Sequence, residues 1–212
     1  ETLQHDTNNK ANDYKRLIDR YLIRPDGDAF LFSHALVRDG VYSSLLKANR
    51  STLHEKAADW YQDRDLVLHA QHLDRAGDAA AAKAYLGAAR NQAEALHFES
   101  AISLCRRGSE LALEKSDLCD LSWVLGEALL STRATEDAIG AFEAAAECAP
   151  DNQRRTKALS GLAAALRIAD RQAPAFDALG EAQRLATQEA LESELASIHF
   201  LRGNLCFPLG RI

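Results

Sequence analysis

Methionine is absent from this chain of 212 residues, although a natural reading frame opens with it. The sequence starts at Glu1 and stops at Gly210-Arg211-Ile212 where a helical pattern would continue, so a piece of a longer protein is expected. Glycine and proline are sparse, at eleven and four residues, and Val, Ile and the aromatics are outnumbered by Ala and Leu. Those shortages argue against an all-β fold, because turns and pleated strands draw on the residues that are missing. No run approaches the ~20 apolar residues that a membrane-spanning helix needs, and no signal peptide opens the chain. A basic excess is also lacking. Residues 1–64 carry ten basic and ten acidic side chains, the remainder fifteen and twenty-one, and the net charge is −6. Phosphate-backbone binding needs the opposite sign, so no nucleic acid is expected as a partner.

The four cysteines, Cys105, Cys119, Cys148 and Cys206, fit no zinc-ligand spacing and lie in apolar helical patterns. They read as small buried hydrophobes of a reducing, cytoplasmic protein. No Gly-rich loop ending in Lys-Ser or Lys-Thr is present to cradle a phosphate. Ser33, Ser43 and Ser44 lack the strand-turn-helix context of an activated nucleophile. No catalytic residue, cofactor or metal is therefore assigned. The one alternative is a metal held by His69 and His72, three apart on a helix, with Asp74 and His54 brought near in space. The competing reading packs or hydrogen-bonds these histidines at a helix junction.

What the chain has in abundance is helix. Ala and Leu lose little side-chain freedom there. Tyr14, Leu17, Ile18 and Tyr21 follow helical spacing after a polar start at 1–10. Tyr21–Arg24 and Ala29–Phe32 then flank Pro25-Asp26-Gly27-Asp28, which predicts a short β-hairpin. Beyond it Ser33 is expected to cap a helix bearing Val37, Val41 and Leu45, and a second helix carries Leu53, Ala57 and Trp60. Asp65 is expected to cap a third ending at Gly77, and Asp78 to cap the next. Helices are then predicted over 79–95, 98–113, 118–131, 135–148, 152–169, 174–187 and 190–207, with Pro208 at a bend or end. His34 and His54 are expected to join neighbouring helices, and Arg50 to pair with Asp39 or a helix C-terminus. The acidic residues of the second half read as solvated faces.

Internal repetition is the strongest signal. Residues 119–152 hold Leu125-Gly126, Leu129, Ala138-Ile139, Phe142, Ala145 and Pro150, the tetratricopeptide pattern. Small Gly126 and Ala138 let paired helices approach, and Leu125, Leu129 and Phe142 fill the space between pairs. A second copy follows 37 residues on, with Leu162-Ala163, Leu166, Ala175, Leu179 and Ala182. A third opens at Leu201. A looser copy spans Ala70, Leu73, Gly77-Asp78, Ala82, Leu86 and Ala89, and a half-copy has Ala101, Ile102 and Cys105.

The expected fold is all-α, a tetratricopeptide-type α-α superhelix behind a short N-terminal β-hairpin. Such repeats bury their faces only by stacking, which creates a concave groove lined by the first helix of each pair. Counting along the pattern assigns Asp120, Trp123, Glu127 and Leu130 to it from one repeat. Lys157, Ser160, Ala164 and Arg167 come from the next, and Phe200, Asn204 and Phe207 from the last. Trp123 is either an anchor for a partner peptide or a packing residue against helix 98–113. The expected partner is a protein, a peptide or another domain of the same chain. The repeat face left open at Ile212 offers a surface to a second copy.

One stretch carries a family resemblance: Phe30-Leu31-Phe32-Ser33-His34-Ala35-Leu36-Val37-Arg38, then Val41-Tyr42, Leu45-Leu46, Arg50, Leu53-His54, His69, His72 and Ala76-Gly77-Asp78. It resembles the segment after the ATPase module in bacterial signal-transduction ATPases of the STAND class. Some of those carry a class III nucleotide cyclase domain, and others are MalT-like regulators. The resemblance implies that residues 1–48 end a winged-helix element with a hairpin and that 49–212 are repeats. It also implies a regulatory region that receives a signal or partner and passes it to the ATPase. It implies no catalysis by this segment.

Overall fold

The computed structural model describes residues 14–27 and 29–207. The chain divides into two units, Glu1–Leu53 and His54–Ile212. The polar stretch 1–10, the turn residue Asp28, the bend at Pro208 and the open end at Ile212 lie outside the described residues.

In the first unit, helical residues 14–19 (α1) stop where Tyr21 takes a positive φ of 56°. Strands β1 (Ile23–Asp26) and β2 (Ala29–Phe32) follow, antiparallel, with Ile23 opposite Phe32 and Pro25 opposite Phe30. The hairpin is as expected, but its first strand starts two residues later and holds Pro25 inside it. A two-stranded ribbon is all edge, and an edge tolerates a residue without an N–H. Gly27 supplies the positive φ, 55°, that the turn requires. The ring of Phe30 stacks on Tyr14 at 4.8 Å.

Helix α2 (Ala35–Ser44) follows, and here the expected cap is not the one found. His34, not Ser33, holds the N-cap place, without a side-chain capping bond. Arg50 does not reach Asp39, which pairs with Arg38 at 2.8 Å; its guanidinium lies over the Tyr42 ring at 5.3 Å. A cation over an aromatic face is an alternative that sequence spacing does not distinguish from an ion pair. Helix α3 (Lys47–Tyr61) contains the division between the two units.

The second unit is a stack of helices: α4 (Leu66–Ala76), α5 (Ala81–Glu94), α6 (Phe98–Leu111), α7 (Lys115–Ser131), α8 (Thr135–Cys148), α9 (Asn152–Ile168), α10 (Gln172–Gln188) and α11 (Glu192–Cys206). Asp65 caps α4 by accepting from the amides of Val67 and Leu68, and Gly77 ends it at φ 75°. Asp78 does not cap α5 directly. Its carboxylate accepts from Ala80 N at 2.8 Å and holds the turn that precedes the helix.

One turn geometry recurs along the stack, three times within the helix pairs and also at Gly77 and Ala190. Leu96, Arg133 and Asp170, spaced by 37 residues, all adopt left-handed φ values of 58–64°. After each, the next amide bonds five residues back: His97 to Gln92, Ala134 to Leu129, Arg171 to Leu166. This closes the preceding helix and reverses the chain, at a cost of roughly 1 kcal/mol for a side chain in that region. The fold is thus a tetratricopeptide-type stack of α-α pairs, α5/α6, α7/α8 and α9/α10, with α11 opening the next. The first helices also touch each other in series, α5 on α7, α7 on α9 and α9 on α11. The looser copy expected over Ala70–Ala89 is therefore half a repeat out of phase. Helix α5 is a first helix, not a second. Small residues recur at the helix crossings, and left-handed turns also close α4 at Gly77 and α10 at Ala190, so neither carries phase; the series of contacts α5 on α7, α7 on α9 and α9 on α11 does.

The core centres on Phe142, 1% exposed. A β-carbon at Gly161 would lie 2.4 Å from its ring, and one at Gly126 2.7 Å away. The ring of α8 therefore fits against two first helices, α7 and α9, only because both lack a side chain there. Ala138, Ala163 and Ala175 are buried in the same cluster. Gly180 of α10, by contrast, faces open space. Gly161→Ala is expected to destabilise by about 1–3 kcal/mol, since a locked ring cannot yield. Gly180→Ala is expected to stabilise by about 0.5–1 kcal/mol through helix propensity. Urea denaturation midpoints of the two variants check the opposite signs.

Candidate partner-binding groove

The 37-residue interval places side chains in rows along the first helices. Asp120, Lys157 and Glu194 occupy one row, Trp123, Ser160 and Ser197 the next, and Glu127, Ala164 and Leu201 a third. These rows line two depressions that share Trp123 and Lys157. One, of about 260 Å³, is walled by Arg90, Cys119, Asp120, Gln153 and Arg154. The other, of about 320 Å³, adds Glu127, Leu130, Phe142, Gly161 and Ala164, with Ser193, Glu194, Ser197 and Leu201 from α11. Because two residues belong to both, the depressions form one groove across α5, α7, α9 and α11.

The two ends differ in chemistry. In the first depression Asp120 accepts from Arg154 at 3.0 Å and from Arg90 at 3.4 Å, joining three first helices through one carboxylate. Arg154 also pairs with Asp151, at 2.6 Å, and Asp151 caps α9 through Arg154 N at 2.7 Å. That amide bond holds the Asp151 carboxyl below its ordinary range, with the Arg154 side chain assisting. The second depression is mostly apolar, floored by Phe142 and flanked by Leu130 and Leu201. Glu127 lies on its rim. Burial pushes its carboxyl above the usual range, against the opposing pull of Lys157 and Arg90. Gln153 reaches across to Glu194 at 3.1 Å, tying α9 to α11.

Of the residues assigned from the sequence, Asp120, Trp123, Glu127, Leu130, Lys157, Ser160 and Ala164 line these depressions. Arg167, Phe200, Asn204 and Phe207 do not. Phe200 stands at the row of Gly126 and Ala163, which in α7 and α9 face their own second helix, and it is 70% exposed. Leu201, one position on, is the residue in register. Trp123 packs its ring against both core clusters while its remaining surface lines the groove. Arg90, Gln153, Arg154, Ser193, Glu194, Ser197 and Leu201 were not anticipated. A strict 37-residue count from α9 yields Glu194, Ser197 and Leu201. Arg90 requires the phase of α5, which the alanines did not give.

The histidines do not converge on an ion site. Nδ1 of His69 lies 2.9 Å from Ala58 O, whereas Nδ1 of His72 lies 2.8 Å from Nδ1 of His54. Tyr61 stacks on the His72 ring at 5.5 Å. Asp74 is held by Arg107 in a two-toothed contact, both bonds 2.8 Å, and accepts from Tyr85 Oη at 3.1 Å. The Arg107 bond keeps its carboxyl below the ordinary value. Among the described residues no three metal-capable side chains come together, and no helix is long and apolar enough to cross a membrane.

No protein-family model matches the sequence, and no curated protein matches it. Among solved structures, MamA 41-end from Desulfovibrio magneticus RS-1 is similar at 13% identity and a TM-score of 0.45, covering 76% of this chain and 95% of that one. At that distance no residue correspondence transfers, and the helix pairing within this chain stands by itself.

The His54–His72 pair gives a pH dependence. Burial, then His54, then Arg75 lower the His72 pKa below 6.5. As pH falls through the ordinary histidine range the unfolded chain takes up a proton that folded His72 resists, so stability is lost toward acid. The contribution is whole above the unfolded value and gone below the lowered folded one. Urea midpoints measured from about pH 7.5 to about pH 5.5 are expected to fall, and to fall less in His72→Gln.

Proposed function

We propose that this chain is a non-catalytic protein-interaction module that holds an extended segment of a partner polypeptide in the groove across α5, α7, α9 and α11. The observation that carries this reading is the continuity of the two depressions through Trp123 and Lys157. A mixed lining, polar and charged at one end and apolar at the other, suits a peptide with both kinds of side chain. Trp123 sits at the join, where a large, partly desolvated ring contributes most to binding. Its packing against the core fixes its rotamer in advance and limits the entropy lost on association.

A second reading concerns what surrounds the module. The stretch from Phe30 to His54, with its hairpin and following helix, supports a place after the ATPase module of a STAND-type signalling protein. Nucleotide cyclases and MalT-like regulators are the associated outputs. In that setting residues 1–48 close a winged-helix element and 49–212 are the repeats that receive the signal. A nucleotide-binding module encoded immediately upstream of Glu1 supports this placement, and its absence from the gene rejects it.

For the groove itself the test is capture. The immobilised chain is expected to retain a defined set of peptides from a random-sequence peptide display. Trp123→Ala is expected to weaken the best of them by at least roughly thirtyfold, equivalent to about 2 kcal/mol. Unchanged affinity in Trp123→Ala, with the variant folded by circular dichroism, places binding elsewhere.

A further inference from the structure

Beside the groove stands a pair of thiols, one of them in its wall, that the binding reading does not use. Cys119 lies in the first turns of α7 and Cys148 is the last residue of α8, so the antiparallel packing of that pair brings them to one end. Both sulfurs aim at the same acceptor, Ala145 O, Cys119 at 3.3 Å and Cys148 at 3.7 Å. No disulfide joins them. Cys119 is 2% exposed, yet it lines the charged depression beside Arg90, Asp120 and Arg154, while Cys148 is half-buried. The other two cysteines sit apart from this arrangement, Cys105 buried in α6 and Cys206 at the end of α11.

We infer that Cys119 and Cys148 are a dithiol site that a small-molecule disulfide oxidises to an intramolecular disulfide, linking the start of α7 to the end of α8. The half-buried Cys148 is the point of entry. Its thiolate attacks one sulfur of the oxidant, forms a mixed disulfide and expels one thiolate. Cys119 then attacks the Cys148 sulfur, the protein disulfide forms, and the second thiolate leaves. The two protons given up by the cysteines end on the two released thiols, and the oxidant takes the two electrons.

Burial sets the pace of both steps. It pushes the Cys119 thiol up to about 12, with Cys148 adding to the rise, and it also raises Cys148, where the hydrogen bond from Cys119 works in the opposite direction. The attacking species is the thiolate, so reaction is slow at neutral pH and accelerates as pH rises. The pair is therefore a site for sustained oxidation rather than for rapid sensing. Where the groove holds a partner, a cross-link in its wall changes the surface next to Asp120 and Trp123. That consequence rests on the groove reading, whereas the cross-link does not.

The experiment incubates the full chain with glutathione disulfide at several pH values and follows free thiols, intact mass and peptide maps. Expected is the loss of two of the four thiols, faster at higher pH, with a Cys119–Cys148 linked peptide, no lasting glutathione adduct and full reversal by dithiothreitol. Cys105→Ser is expected to leave the reaction unchanged. Cys148→Ser is expected to abolish the cross-link and to leave Cys119 unmodified while the chain stays folded. A glutathione adduct that persists on Cys148 with Cys119 free overturns the inference, as does pairing with Cys105 or Cys206, or no thiol loss. Peptide capture by reduced chain is a separate readout, so failure of the groove reading and failure of the dithiol are told apart.

Discussion

The stack depends on one aromatic ring meeting two bare stretches of backbone. Phe142 projects from a second helix into the space where two successive first helices come together, and both present glycine to it. The close approach at Gly126 and Gly161 does more than fill volume. It fixes the separation of α7 and α9, and that separation is the width of the groove at its apolar end, which the same ring floors. Core packing and site geometry are thus one constraint, and interiors packed at crystalline density pass small volume changes on as displacement.

Around that contact the rest of the repeat is built by repetition of backbone geometry. Three left-handed turns recur at a fixed interval although their residues, Leu96, Arg133 and Asp170, share neither size nor polarity. The chain accepts an unfavourable φ at these turns, and again at Ala190 where α10 ends, because the alternative, an unclosed helix end, leaves carbonyls without donors. Between pairs, polar links reinforce the register. Asp120 joins α5, α7 and α9, Gln153 joins α9 to α11, and Arg171 reaches Glu136 across neighbouring pairs at 2.9 Å. These are largely exposed contacts, worth little one by one, and they act on alignment more than on stability.

Much of this was legible in the residues. Gly126, Ala138 and Phe142 named the repeat because packing forces size at those positions. Pro25 and Gly27 named the hairpin because backbone chemistry forces turns. The phase of the first repeat was not legible, since Ala70, Ala82 and Ala89 satisfy either assignment. The groove was half legible. Positions counted in α7 and α9 fell on it apart from Arg167, but in α11 the count began at Phe200, one residue short of Leu201, which is in register with Glu127 and Ala164. Arg90 and Arg154 were missed because they act across repeats, and a charge on one helix does not announce the carboxylate it will share on another.

The ring of Phe142 and the bare backbone of Gly161 act as a single energetic unit. A double-mutant cycle by urea denaturation, combining Phe142→Leu with Gly161→Ala, measures it directly. Alanine at 161 is expected to cost far less once the ring is gone, a coupling of about 1 kcal/mol or more. Strictly additive losses would mean that the two do not constrain each other, and would contradict it.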